Sequence, residues 1–157
     1  DSYIVLQQRM LVAADNDSIT SPADIQNGDF KVATQKGTTN YELAVSLFGA
    51  DKVDAYDQFD FAIAAVISGD ADASIVDEVA GLGYMGANKD KVKLVGEGLQ
   101  TDPLGFAFPD GSQLVAVINE GLAHMKDNGK LQEINDKFFS PGFTVTYDDI
   151  AEVTYDE

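Results

Sequence analysis

The chain has 157 residues, a hydrophobic share of 45% and a net charge of −17, from 10 basic and 27 acidic residues. This is the composition of a folded globular protein, and the acidic balance argues against nucleic acid as a partner, because no basic patch can neutralise phosphates. The chain has no cysteine, which excludes disulfides and thiolate metal sites, and the lone His124 gives no support to a zinc site or a nucleophilic triad. We therefore expect no metal, no cofactor and no catalytic residue.

The first predicted elements are strands and one short helix. Met10–Val12 is a strand candidate, and Tyr3–Leu6 before it has the same apolar character. Ser21 is placed to cap a helix with Pro22 at its first position, and Gly28 ends that helix.

The next segment combines a strand, a glycine turn and a helix start. Phe30–Thr34 alternates in the manner of a strand, and Gly37 permits a sharp turn. Thr39 followed by Glu42 has the spacing of a capping box, so the helix is expected to begin at the threonine pair Thr38 and Thr39 and to end near Phe48–Gly49. Amide N–H groups at such a helix end accept an anion. The alternative interpretation is an ordinary capped β–α turn.

Strands and helices continue to alternate up to residue 95. A strand begins at Val53, a helix capped by Asp60 ends at Gly69, and the strand Asp72–Val76 leads to a helix starting at Asp77. Short links between alternating elements predict a largely parallel α/β sheet, with a ligand site at the carboxyl ends of its strands.

The pattern changes in the last third of the chain. Asp102–Pro103 predicts a break, and Gly105–Phe108 predicts a lone strand. Ser112 is expected to cap an amphipathic helix, and Gly129 separates it from a second helix. Phe143–Glu157 is expected to hold an edge strand and an acidic tail.

A few charged residues are candidates for ligand contact. Asp77 is explained by a helix N-cap alone, or it offers a carboxylate to a ligand's ammonium group. Lys36 and Gln35 flank the glycine turn and are within reach of the same crevice, although solvent exposure accounts for both. For Arg9, a position on the surface is favoured over contact with a ligand.

Several segments, taken in order, resemble one known family. The similar stretches are Gln8–Val12, Ser21–Gly28, Val32–Thr39, Ser68–Glu78, Gly105–Phe108 and Gly129–Ile134. Together they are similar to the family 3 extracellular solute-binding proteins, the polar amino-acid receptors of ABC importers. No single stretch is specific, but their order covers Gln8 to about Phe139.

The resemblance implies a periplasmic-binding-protein-like (type II) fold, in which two α/β lobes joined by two hinge strands close on an amino acid. It implies that the turn Gly37–Thr38–Thr39, chiefly Thr39, binds the α-carboxylate, and that Asp77 binds the α-ammonium. Lys36 is a further contact on the same basis. It also implies an extracytoplasmic location, periplasmic or lipid-anchored at the cell surface, and an ABC permease as partner.

The resemblance also predicts how the chain is divided, because family members carry an N-terminal segment that has no counterpart here. Residues 1–12 are the expected first hinge strand region, and residues 13–104 the small, mostly parallel α/β lobe. Residues 105–157 are the expected second hinge strand, helices of the large lobe and acidic tail. Helices without their partner lobe are expected to favour self-association.

Two other classes stay open beside the transport receptor. One is the extracellular sensory domain of a receptor kinase or channel, which has the same fold. The other is an enzyme similar to cyclic-acid dehydratases, for which the chain offers only Asp77, Glu78 and Lys36 as acid–base groups. We predict binding without catalysis. The identity of the amino acid is left open.

Overall fold

The computed structural model describes residues 1–88 and 90–139. These residues contain five strands, β1 (Ser2–Ala13), β2 (Val32–Gln35), β3 (Val53–Tyr56), β4 (Ala73–Asp77) and β5 (Val92–Gly105). The same described part of the chain contains six α-helices, α1 (Pro22–Asn27), α2 (Thr39–Phe48), α3 (Phe59–Ser68), α4 (Glu78–Ala87), α5 (Leu114–Asp127) and α6 (Lys130–Phe138). A short 3₁₀ helix at Ala50–Lys52 precedes β3. The chain forms two compact units, Asp1–Pro109 and Asp110 onward.

All five strands lie in one sheet, in the order β3-β2-β4-β1-β5. β2 runs parallel to both β3 and β4, as expected when helices connect consecutive strands. β1 runs antiparallel to β4 and to β5, so the sheet is mixed where a largely parallel one was predicted. The α/β class is confirmed. The antiparallel part arises because the two longest strands, β1 and β5, pair with each other along their length.

The first unit has a hydrophobic core on each face of the sheet. Met10, Val12 and Ile75 point to one face, where Ile25 of α1 and Ala44 of α2 cover them. The neighbouring positions point the other way, because side chains alternate along a strand. That second face buries residues from β1, β2, β4, β5 and α3, namely Leu11, Ala33, Ile63, Val66, Val76 and Val92.

The predicted break at Asp102–Pro103 and the lone strand at Gly105–Phe108 are both wrong. β5 runs without interruption from Val92 to Gly105, and Pro103 lies within it opposite Val5. A proline is tolerated there because β5 is an edge strand, where one missing N–H donor breaks no central ladder.

The glycines predicted to end helices agree with the structure more often than the predicted N-cap residues do. α2 ends at Gly49, and α3 ends at Gly69 in the left-handed conformation. The N-cap of α3 is Gln58, so the prediction of Asp60 is wrong by two residues. Asp60 is in the first turn instead, where a carboxylate is also favourable to the helix dipole.

The described part of the second unit consists of α5 and α6. Leu122 of α5 and Leu131 of α6 are buried, whereas His124 is exposed. α5 begins at Leu114 with Gln113 as N-cap, and Ser112 Oγ accepts a hydrogen bond of 3.3 Å from the Leu114 amide. The edge strand and acidic tail predicted at residues 143–157 lie outside the described residues.

Candidate functional site

The turn from β2 into α2 places two threonines in different roles. Gly37 has a φ of 72°, in the left-handed region that favours glycine. Thr38 is the N-cap: its Oγ accepts from the Tyr41 amide at 3.2 Å and donates to the Gln35 carbonyl at 2.7 Å. The capping box predicted on Thr39 is therefore wrong by one residue. Because Thr38 caps the helix, the hydroxyl of Thr39 is left for other partners.

The exposed residue Thr39 makes its hydrogen bonds to β1 and β5. Its hydroxyl donates to Asp102 Oδ2 at 2.7 Å and accepts from Gln8 Nε2 at 3.2 Å. Gln8 Nε2 also donates to the same Asp102 oxygen. Sequence reasoning missed Gln8 and Asp102, since Gln8 is a glutamine within an apolar strand and Asp102 was assigned to a break in the chain. The strand pairing alone brings them to Thr39.

Asp77 ends β4 and is the N-cap of α4, yet its side chain makes no capping hydrogen bond. Asp77 Oδ1 instead accepts from Asn40 Nδ2 at 3.2 Å. Asn40 is buried in the first turn of α2, directly after Thr39. The structure thus brings Thr39 and Asp77, the two principal predicted site residues, to either side of one buried asparagine.

Strand register explains why these side chains converge. Gln8 lies opposite Asp77 in β4 and opposite Gln100 in β5, so the three side chains share a face of the sheet. That is the face covered by α2, and the carboxyl end of β4 coincides there with the middle of the antiparallel β1. We refer to Gln8, Thr39, Asn40, Asp77 and Asp102 as the polar cluster.

The electrostatics of the polar cluster are dominated by carboxylates. Burial acts to raise the pKa of Asp102, but hydrogen bonds from Thr39, Gln8 and Gln100 outweigh it and lower the pKa below its usual value. Asp102 is therefore ionised at neutral pH. The ion pairs of the described residues leave the cluster without a lysine or arginine partner.

Lys36 is not brought into the polar cluster. Its ammonium forms an ion pair with Asp57, and its side chain is 65% exposed. Gln35, the other flanking residue, donates from Nε2 to the Asp57 carbonyl at 3.0 Å. Both side chains therefore contact Asp57, in the link between β3 and α3.

The predicted surface position of Arg9 is wrong. Its side chain is 20% exposed and forms an ion pair of 2.8 Å with Glu78, the first residue of α4. It also donates to the Gly96 carbonyl at 2.7 Å. Gly96 lies where the register between β1 and β5 shifts, and it has a φ of 68°. Arg9 thus joins α4 to an irregular stretch of β5.

Two further properties of the described residues bear on function. Among residues 1–88 and 90–139, no three histidine, aspartate or glutamate side chains come together in an arrangement that could hold a metal ion. None of the helices in that same part of the chain combines the length and hydropathy needed to cross a bilayer.

Solved structures with this fold include receptors that bind amino acids. An ancestral arginine-binding protein bound to glutamine superposes with a TM-score of 0.77 at 33% identity, over 88% of this chain and 62% of that one. The ancestral amino acid-binding protein AncCDT-1, a precursor of cyclohexadienyl dehydratase, gives 0.76 at 33% identity, over 89% and 60% of the two chains. The fold is therefore of the periplasmic amino-acid-binding class.

Sequence comparison narrows this class to a family. The profile of the bacterial extracellular solute-binding proteins, family 3, matches residues 1–141, and the chain belongs to this family. The L-cystine-binding protein TcyA of Bacillus subtilis is 30% identical over 141 residues, which are 88% of this chain and 51% of that protein. The chain thus spans about half the length of this curated relative.

Proposed function

We propose that the protein to which this chain belongs binds an amino acid outside the cytoplasm and delivers it to an ABC permease. The observation that carries this proposal is the placement of Thr39 and Asp77 on either side of Asn40, which donates to Asp77 across 3.2 Å. Relatives that bind arginine, glutamine or cystine support an amino acid as the ligand.

The two halves of an amino acid fit the two sides of the polar cluster. The first amides of α2 have no acceptor within their own helix, and the dipole is positive there, so a carboxylate is stabilised beside Thr39. The carboxylate of Asp77 makes no capping bond and is directed to Asn40, which leaves it acceptor capacity for an ammonium group. Gly37 and Thr38 shape the turn, and Lys36 reaches the ligand only if it leaves Asp57.

The remaining features of the proposal rest on family membership. The family is one of extracellular solute-binding proteins, which supports an extracytoplasmic location, periplasmic or lipid-anchored. We propose that residues 1–12 and the segment that begins at residue 105 connect two lobes that close on the ligand, with residues 13–104 forming the small lobe. The described helices α5 and α6 would then belong to the large lobe, and their exposed apolar side chains, such as Val117, favour self-association of the isolated chain.

Binding without catalysis is favoured over a dehydratase-like activity. Of the three acid–base candidates, Glu78 is paired with Arg9 and Lys36 with Asp57, so only Asp77 is free of an ion pair. One carboxylate does not provide separate acid and base groups. The similarity to the precursor of a dehydratase concerns a protein that itself binds an amino acid.

Calorimetric titration of the full coding sequence that contains this chain tests the proposal, with each standard amino acid and cystine as ligand. We expect one class of amino acid to bind, and Thr39→Ala and Asp77→Ala each to abolish binding while the circular dichroism spectrum is unchanged. Asp15→Asn, on an exposed residue beyond the end of β1, is the charge-matched control. Undiminished affinity in either site variant would contradict the assignment. For residues 1–157 alone we expect weak or no binding, so a submicromolar Kd, beyond about −8 kcal/mol, would refute the two-lobe proposal.

A further inference from the structure

The hydroxyl of Thr39 already donates a hydrogen bond to a carboxylate of the chain itself. A threonine hydroxyl has one proton to donate, and Thr39 donates it to Asp102 Oδ2 at 2.7 Å. Thr39 is also the residue beside which the ligand's α-carboxylate is proposed to bind, and its hydroxyl is the side-chain donor there. It cannot donate to both at once.

The contacts around Asp102 show that the neighbouring side chains are arranged to hold this carboxylate. Gln8 donates from Nε2 to Asp102 Oδ2, and Gln100 donates from Nε2 to Oδ1 at 3.4 Å. Gln8 is fully buried, and its Oε1 has no hydrogen-bond partner among the described residues. A buried acceptor without a donor costs free energy, so this orientation of the Gln8 amide leaves Oε1 at a disadvantage. The hydrogen bond from Nε2 to Asp102 explains why the amide is oriented in this way.

The charge of Asp102 opposes a second carboxylate at the same place. No described ion pair neutralises Asp102, so a ligand carboxylate at Thr39 would be within a few ångströms of a like charge. Such an approach is unfavourable at any dielectric constant that applies to a half-buried site. The ligand's carboxylate can therefore bind at Thr39 only after the side chain of Asp102 has rotated away from it.

We propose that Asp102 is an internal competitor of the ligand, because its carboxylate occupies the position of the ligand's α-carboxylate at Thr39. This inference rests on the proposed amino-acid function and adds a residue that sets affinity and specificity. Asp102 lowers the affinity for every ligand that brings a carboxylate to Thr39. It penalises a ligand of the same shape less when that carboxylate is an uncharged amide, because the amide must still displace Asp102 from Thr39 but meets no like charge.

The test measures ligands in pairs that differ only at the α-carboxyl group. L-arginine with L-argininamide, and L-glutamine with its α-amide, are titrated into the full coding sequence as wild type, Asp102→Asn and Asp102→Ala. We expect both variants to bind the carboxylate ligand about tenfold more tightly, a change of about 1.4 kcal/mol that matches a screened like-charge contact, and the amide with a smaller gain in affinity. Asp15→Asn changes the net charge equally at an exposed position and is expected to leave both affinities unchanged.

The outcomes separate the inference from the proposed function. Affinity that is unchanged or weaker in folded Asp102 variants would overturn the inference, and a weaker affinity would make Asp102 a direct ligand contact. Equal gains in affinity for the acid and the amide forms of a ligand would also overturn the inference. They would show that the substitution changes the binding site in general and does not act through the charge of Asp102. If the wild type binds no amino acid in any form, the proposed function itself fails, and the competitor role fails with it. Thermal unfolding of both variants identifies any loss of folding.

Discussion

Asn40 Nδ2 donates a hydrogen bond of 3.2 Å to Asp77 Oδ1 and so joins the first turn of α2 to the N-terminus of α4. Asn40 is 3% exposed, and Asp77 is half-buried. The contact therefore fixes the distance between the helix end proposed for the carboxylate and the side chain proposed for the ammonium. A rigid separation of this kind favours a ligand in which the two charges are one carbon apart.

Replacing Asn40 tests this coupling. Asn40→Leu keeps a similar volume but removes the donor, so Asp77 loses the hydrogen bond that orients it. We expect amino-acid affinity to fall about tenfold, the equivalent of one charge-assisted hydrogen bond of about 1.5 kcal/mol. Calorimetry of the full coding sequence measures the change. A variant that binds as tightly as the wild type would show that Asp77 needs no support from α2.

The two threonines of the turn are predicted to separate stability from binding. Thr38→Val removes the N-cap of α2, and we expect the free energy of unfolding to fall by about 1 kcal/mol with affinity nearly unchanged. Thr39→Val removes only the hydroxyl that contacts Asp102 and Gln8, so we expect lost affinity with little loss of stability. Urea unfolding and calorimetry on both variants check the contrast. The reverse pattern would assign the binding role to Thr38.

Asp24 is predicted to make the stability of the first unit depend on pH. Its carboxylate accepts hydrogen bonds from the amides and hydroxyls of Thr20 and Ser21, which lower its pKa below 3.8. Because the pKa is lower in the folded state, this contribution is fully present above about pH 4 and is lost as the pH falls through the folded pKa. Asp24→Asn should therefore unfold more easily at pH 7 and show a smaller decrease in stability between pH 4 and pH 2. Equal decreases in both proteins, measured by urea unfolding, would refute this.

The hydrophobic core at the centre of the sheet is predicted to contribute strongly to the free energy of unfolding. Ile75 is fully buried in β4, two residues before Asp77, and packs in the core beneath α2. Ile75→Ala is expected to lower the free energy of unfolding by about 2 to 5 kcal/mol. Val5→Ala, on a side chain that is 57% exposed, is the control and should change it by less than about 0.5 kcal/mol. Urea unfolding followed by circular dichroism compares the two variants. Similar values for both would mean that the core is not where the structure places it.

The sequence predicted local features well and long-range partners poorly. The glycine stops at Gly49 and Gly69 were correct because a left-handed or otherwise glycine-favoured conformation is a local property. The one-residue error at the Thr38–Thr39 pair has a local cause as well, since either hydroxyl has the spacing for a cap. Only the tertiary contacts decide which is used.

The partners of Thr39 could not be predicted from the chain itself. Gln8 is 31 residues away and reaches Thr39 through the pairing of β1 with β4 and of β4 with β2. Asp102 is 63 residues away and reaches it through the register of β5 against β1. That register contains two shifts, and no periodicity in the sequence predicts them. Arg9 was misplaced for the same reason, because its acceptor Gly96 belongs to the shifted stretch.

The irregular course of β5 also affects whether a strand of another chain can pair with this edge of the sheet. An edge strand with regular N–H and C=O groups is a template onto which another strand can add. β5 lacks one such donor at Pro103 and is distorted at Gly96, and Glu97 adds a negative charge between them. A second copy of this acidic chain therefore finds no continuous ladder to extend along β5, and association of two copies at this edge has to use side-chain surfaces instead of a shared sheet.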